Sequence, residues 1–245
     1  MSEGDSWCPC GDSRADHRYL CGGKLHDDLD KLFANEAGAD CTFVLPEGEI
    51  KAHKNILSAR VDVFKRMFAS NCTESQTNRV DITDCDLSSF KAFLNYVYCG
   101  VLHRPFDLYN LLSLTSKYML PELVCACVPA LKTELGALTE PYEALAFAEK
   151  MMKLAKTCDI SIVTYLCEDA LIERLNDLIM IDIADRDDSF EYIVELLILS
   201  HEQNGARLKE TCLKIVNDQD EIVSFRQGRH GRLKAYPTLL AQLTG

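Results

Sequence analysis

No apolar run in these 245 residues reaches the roughly 20 needed to cross a bilayer as a helix, so no membrane partner is expected. Basic residues are also scarce: 26 Lys and Arg stand against 38 Asp and Glu, for a net charge of −12 and a pI near 4.9. Nonspecific phosphate binding needs clustered Lys and Arg, so no nucleic-acid partner is expected. The one local basic cluster is Arg226, Arg229, His230, Arg232 and Lys234. It reads as a solvated loop, with phosphate or nucleic acid as the minor alternative. The chain lacks G-x-S-x-G, P-loop, G-x-G-x-x-G and H-E-x-x-H patterns, which removes the usual hydrolase, nucleotide and metalloprotease fingerprints. Spacing alone does not exclude a base and nucleophile that meet in space. No such set stands out, so the expectation is no catalysis and no cofactor.

The N-terminus is polar and acidic, unlike a secretory leader. Twelve cysteines are present, and Cys99, Cys125, Cys127, Cys167 and Cys212 fall at apolar positions of periodic segments. There they act as small hydrophobes, consistent with a reducing cytoplasmic or nuclear compartment and no disulfides. Cys8, Cys10, Cys21, His17 and His26 include zinc-type ligands. C-x-C with an irregular second half is not a standard finger spacing, so no metal site is assigned. Disordered thiols are the plainer reading and a zinc knuckle the alternative. The aspartates of Ile181–Phe190 (Asp182, Asp185, Asp187, Asp188) lack the central glycine and terminal glutamate of an EF-hand, and read as an acidic helix-to-helix linker.

What the chain has in abundance is ordered pattern between Asp40 and Leu102. Two extended runs, Thr42–Leu45 and Glu49–Ala52, flank a Pro46-Glu47-Gly48 turn. A helical stripe follows: Ile56, Leu57, Ala59, Val63, Phe64, Met67 and Phe68 recur at three- and four-residue steps. Arg79-Val80-Asp81-Ile82 is a short alternating strand. Phe90, Phe93, Leu94, Val97 and Tyr98 form a second amphipathic helix that Gly100 stops. Upstream, Leu25, Leu29, Leu32 and Phe33 give a short helix one apolar face. Met1–Gly23 has no periodicity.

This ordered set resembles the BTB/POZ family. The matching pieces are Asp40, Ala52-His53-Lys54 leading into Ile56-Leu57-Ser58-Ala59-Arg60, Val63-Phe64 with Met67-Phe68, Asn78-Arg79-Val80, Phe90, and Tyr96-Val97-Tyr98-Cys99-Gly100. The resemblance implies an α+β fold, a small β-sheet flanked by helices. It implies dimerisation through Leu25, Leu29, Leu32 and Phe33; packing of that helix within its own chain is the alternative. It places Asp40 near His53 as a structural polar pair. It also implies an adaptor that binds cullin-3, the scaffold of a ubiquitin ligase (Ubl conjugation), through a hydrophobic–any–Glu tripeptide after the Met67-Phe68 helix. Here that tripeptide is Cys72-Thr73-Glu74, unless the segment is merely a loop. Cys72 buries less apolar area than the Met, Leu or Phe usual there, at roughly 25 cal/mol per Å², so reduced cullin affinity is expected unless the helices after residue 104 add contact. The second functional reading is a dimeric scaffold or transcriptional co-regulator with no ligase role.

Beyond Leu102 the pattern turns helical. Leu108–Leu135, Ala144–Leu175 and Ile193–Asp218 each read as a helix pair. In the second pair, Leu145, Ala148, Met152 and Ala155 form one face; Val163, Leu166, Cys167, Ala170 and Leu171 form the next. Cys167-Glu168-Asp169-Ala170-Leu171, Leu196–Leu199, and Tyr236-Pro237 with Leu239-Leu240 resemble the BACK-like extension of speckle-type POZ proteins. The chain departs from that subfamily by leaving no room before residue 25 for a substrate-binding MATH domain, and by an extra helix pair around 141–160. The expected organisation is an N-terminal arm (1–23), a BTB/POZ domain (24–135) and an all-α BACK-like extension (136–245). The substrate protein, and the choice between homodimer and heterodimer, stay open.

Overall fold

The computed structural model describes residues 23–70, 72–181, 186–218 and 235–244. The basic cluster at 226–234, the N-terminal Cys8, Cys10, Cys21 and His17, and residues 182–185 lie outside them. Backbone packing divides the chain into two units, one ending at Asp107 and the other starting at Leu108. The whole is a mostly helical α+β protein.

The first unit is built on a hairpin. Strand β1 (Cys41–Leu45) pairs antiparallel with β2 (Gly48–Ala52) in the register Leu45↔Gly48 through Cys41↔Ala52, leaving Pro46 and Glu47 as the two-residue connection. Gly48 thus begins β2 and is not part of the turn. A third strand, β3 (Arg79–Asp81), runs parallel to β1 and gives the order β2-β1-β3. Alternation along β1 puts Cys41, Phe43 and Leu45 in the interior. There Phe43 meets Phe64 at 5.4 Å and Phe90 at 5.0 Å between ring centroids, and Phe90 meets Phe93 at 5.6 Å. These four fully buried rings hold the sheet, α3 (Asp62–Ala69) and α5 (Leu87–Cys99) together. Each fully buried large apolar side chain is worth about 1.5–3 kcal/mol.

The remaining helices of this unit are α1 (Gly23–Asn35), α2 (Lys54–Arg60) and α4 (Thr73–Thr77). Asp86 caps α5, its Oδ1 accepting from the Ser89 N–H at 2.8 Å. A second donor at that helix start, the Leu87 N–H, is taken by Glu47 Oε2 at 2.9 Å. Gly100 ends α5 in the left-handed region (φ 72°), where glycine carries no Cβ penalty.

The second unit is all helix: α6 (Leu108–Lys117), α7 (Pro121–Ala137), α8 (Pro141–Cys158), α9 (Ser161–Ile181), α10 (Arg186–Glu202), α11 (Ala206–Asp218) and α12 (Pro237–Thr244). The three expected pairs are present as α6–α7, α8–α9 and α10–α11. The α8 face buries Leu145, Ala148, Met152 and Ala155, and the α9 face buries Val163, Leu166, Cys167 and Leu171, with Ala170 half-buried. One boundary differs from expectation. α10 starts at Arg186, so much of the stretch read as an acidic linker is helical. Acidic residue types are favoured in a first helical turn, so their density there marks a helix start as readily as a loop. Arg174 on α9 closes α7: its guanidinium donates to the Leu138 carbonyl at 3.2 Å and to the Leu135 carbonyl, taking up acceptors that a helix C-terminus leaves free. No helix among the described residues is long and apolar enough to cross a membrane.

Candidate protein-interaction site

The residues singled out around the α3–α4 junction are gathered on one surface of the first unit. Helix α3 ends at Ala69, and its last turn leaves Met67 and Phe68 half-buried. Phe68 lies nearly parallel to the buried Phe64 ring, at 6.0 Å and 14°, so its position is set by the core. The Met67 carbonyl accepts from the Ser70 N–H at 3.3 Å, the Ser70 hydroxyl at 2.7 Å and the Cys72 thiol at 3.4 Å. Cys72 then opens α4 as its N-cap residue, in an extended conformation. The Cys72 carbonyl accepts from the Gln76 N–H at 3.2 Å and the Ser75 hydroxyl at 2.8 Å. A short helix, where a bare loop was the alternative, therefore displays Cys72 and Glu74.

The Glu74 carboxyl is held below the ordinary value by its own backbone N–H, and next by the Cys72 thiol. It is half-buried and ionised at neutral pH, a fixed negative charge two residues after the small, half-buried Cys72. Asn78 ends α4 in the left-handed region (φ 58°, ψ 22°), a conformation asparagine tolerates better than most residues. Its amide oxygen accepts from Lys54 Nζ. That ammonium also stands 5.3 Å from the centre of the Phe68 ring, within cation–π range. The Lys54 N–H donates to Asp40 Oδ1 at 2.7 Å. Lys54 thus joins the β1 entry, the α4 exit and the Phe68 surface. The sequence reading did not assign Lys54 and Asn78 to the site, although both lie in strings that it singled out.

The expected Asp40–His53 pair does not form as a hydrogen bond. The His53 ring contacts the Tyr98 hydroxyl through Nδ1 at 2.8 Å and the Ala37 carbonyl through Nε2 at 2.9 Å. Its backbone N–H also donates to the Tyr98 hydroxyl, at 2.7 Å. Burial pushes the Tyr98 phenol well up, so it stays a neutral hydroxyl able to serve both. Asp40 and His53 frame the same turn through different partners, because the ring of a buried histidine is satisfied by what the core brings to it. This is a structural hydrogen-bond set.

The α1 face divides. Phe33 is 6% exposed and packs on Tyr98 at 4.8 Å, so it belongs to the core of its own unit. Leu29 and Leu32 are half-buried, while Leu25 is 65% exposed. His26, on the same helix, contacts the Cys99 carbonyl through Nδ1 at 2.8 Å, which fixes α1 against the end of α5. Among the described residues no group of three or more His, Cys, Asp or Glu could hold a metal.

Residues 29–135 match the BTB/POZ domain family. The chain is 34% identical over 148 residues to TD and POZ domain-containing protein 3 of Mus musculus, covering 59% of this chain and 40% of that protein. It is 36% identical over 115 residues to TD and POZ domain-containing protein 4 of Mus musculus, covering 46% and 31%. This chain therefore spans well under half the length of these curated relatives. Among solved structures, the BTB domain of zebrafish PATZ1 aligns at 17% identity and a TM-score of 0.36, over 44% of this chain and 91% of that one.

Proposed function

Residues 29–135 are a BTB/POZ domain, and from that premise we propose that the chain is a non-catalytic, dimeric adaptor that recruits a substrate protein to a cullin-3 ubiquitin ligase. The observation that carries this reading is the pairing at the α3–α4 junction. Glu74, its carboxyl pKa held low, stands two residues after a half-buried Cys72, whose thiol is tied to the Met67 carbonyl at the end of α3, where Met67 and Phe68 are half-buried. A partner helix can seat an apolar side chain against Cys72, Met67 and Phe68 and bring a donor to the Glu74 carboxylate. Apolar anchor plus flanking charge is the division of labour of many interaction hot spots. Leu25, Leu29 and Leu32 on α1 are the surface we assign to dimerisation, with Phe33 supporting it from inside. We place the protein in the cytoplasm, the nucleus or both.

The test is capture of the isolated cullin-3 N-terminal region by the full chain and by Glu74→Lys. Retention by wild type with loss in the variant supports the adaptor. Equal capture, or none by either, favours the second reading, a BTB scaffold or co-regulator without ligase work.

A further inference from the structure

A groove in the second unit is not used by the docking face just described. It lies between α8 and α10, is about 460 Å³ in volume, and is closed at one side by Ala235 and Tyr236. Its floor is apolar: Leu145 from α8, with Ile198 and Leu199 from α10. Its rim is acidic: Glu149 from α8, and Glu195 and Glu202 from α10. The spacing explains the shape. Positions 195, 198, 199 and 202 fall on one face of α10, and positions 145 and 149 on one face of α8. The two helices run side by side in the same direction, since Tyr142 meets Tyr192 at 5.4 Å and Lys156 Nζ reaches the Glu202 carbonyl at 2.7 Å. One turn before Glu195 on this stripe, the buried Tyr192 hydroxyl has no hydrogen-bond partner among the described residues.

We propose that this groove binds a basic peptide segment anchored by leucine-like side chains. The volume is in the range of built ligand sites. Among the described residues three carboxylates line it and no lysine or arginine does. Lys153 bridges Glu149 from outside the groove at 2.5 Å, and Tyr236 donates to Glu202; these contacts orient two of the rim carboxylates. The chain's net charge of −12 extends the attraction beyond the rim and favours a cationic partner over an anionic one. The inference deepens the adaptor reading by naming the chemical class of its cargo, and for that role it rests on the reading.

The test uses the full chain and a short, capped, fluorescein-labelled peptide of alternating leucine and lysine. Matched leucine–glutamate and lysine–serine peptides are the controls, read by fluorescence anisotropy. The leucine–lysine peptide binds, more weakly as salt rises, and both controls bind at least about ten-fold less tightly. Glu195→Lys and Ile198→Asp each weaken binding by about ten-fold or more, with far-UV circular dichroism unchanged. If Ile198→Asp does not fold, Glu195→Gln and Ile198→Ala report on rim and floor with smaller losses. Equal binding by folded groove variants overturns the proposal. So does equal binding of the leucine–glutamate or lysine–serine peptide, or self-association of the chain that the groove variants abolish. Cullin capture is measured on the same variants. Failed peptide binding with intact, Glu74-dependent capture removes the groove alone. Intact peptide binding with no capture removes the ligase role alone.

Discussion

Adding one carbon at Gly205 tests how the second unit is fastened. A Cβ built there meets Glu168 Oε1 at 2.8 Å and Met152 Cε at 3.3 Å. Glu168 is 5% exposed, and its Oε1 accepts from the Leu208 N–H at 3.1 Å, in the first turn of α11. The carboxyl of α9 therefore supplies an acceptor that the start of α11 would otherwise lack. In Gly205→Ala the methyl displaces that oxygen. Overpacking costs about 1–3 kcal/mol, and a buried N–H left without an acceptor costs about 1–3 kcal/mol. Relaxation of the Glu168 side chain relieves one at the expense of the other, so we expect a net loss of about 2–3 kcal/mol. Glu168→Ala removes the obstructing oxygen as well as the acceptor. In that background Gly205→Ala costs under about 1 kcal/mol, the remaining penalty of alanine at a helix N-cap. Urea unfolding of the four proteins gives a coupling of about 1–2 kcal/mol, and hydrogen exchange at the Leu208 amide accelerates in both single variants. Effects that add within about 0.5 kcal/mol, or a Leu208 amide unchanged in Gly205→Ala, refute the contact as the fastening.

Three further outcomes are expected. Tyr98→Phe removes the hydroxyl that accepts from the His53 N–H and bonds the His53 ring nitrogen Nδ1 and destabilises the first unit by about 1–3 kcal/mol, read as a lower melting temperature. Arg174→Ala uncaps the Leu135 and Leu138 carbonyls and costs about 1–2 kcal/mol, read as a lower urea midpoint. Burial pushes Cys167 and Cys212 from 9.0 to about 12, so both thiols stay protonated in the fold while the unfolded chain ionises above pH 9. Stability is complete below that pH and falls as pH rises from 9 towards 12, by up to about 1.4 kcal/mol per pH unit for each thiol; the urea midpoint of Cys212→Ala falls less steeply over that range than that of the parent.

The parts of the fold that were legible in the sequence are those carried by repeated local pattern. The helix pairs of the second unit follow from stripes such as Leu145, Ala148, Met152 and Ala155, whose period is set by the helix itself. The hairpin was legible to within a residue, because alternation along Cys41–Leu45 fixes which side chains face inward. The extent of the turn was not, since Gly48 can serve either a turn or a strand. Helix α4 was not legible as a helix: five residues, TESQT, are too few and too polar to show a stripe. Glu74 could be located by its neighbours, but the hydrogen bonds that knot Met67 to Cys72 could not. The His53 partner was missed because Tyr98 lies 45 residues away, and nothing local favours it over Asp40. The groove between α8 and α10 was invisible for the same reason, since its floor and its rim each combine residues from two helices some fifty positions apart.

The face proposed for docking and the core of the first unit are one mechanical object. Phe68 stacks on Phe64, Phe64 touches Phe43, and Phe43 is the centre of the strand whose entry Asp40 ties to the Lys54 N–H. The Lys54 ammonium returns over Phe68 and bonds Asn78 at the end of α4. The loop of contacts closes on itself. A partner that buries Phe68 thus meets a ring already immobilised by packing, and the entropy of ordering that side chain is met by folding and not by binding. A small anchor such as Cys72 then costs affinity through lost apolar area alone. On the proposed adaptor reading, this preset face offsets the small size of the Cys72 side chain.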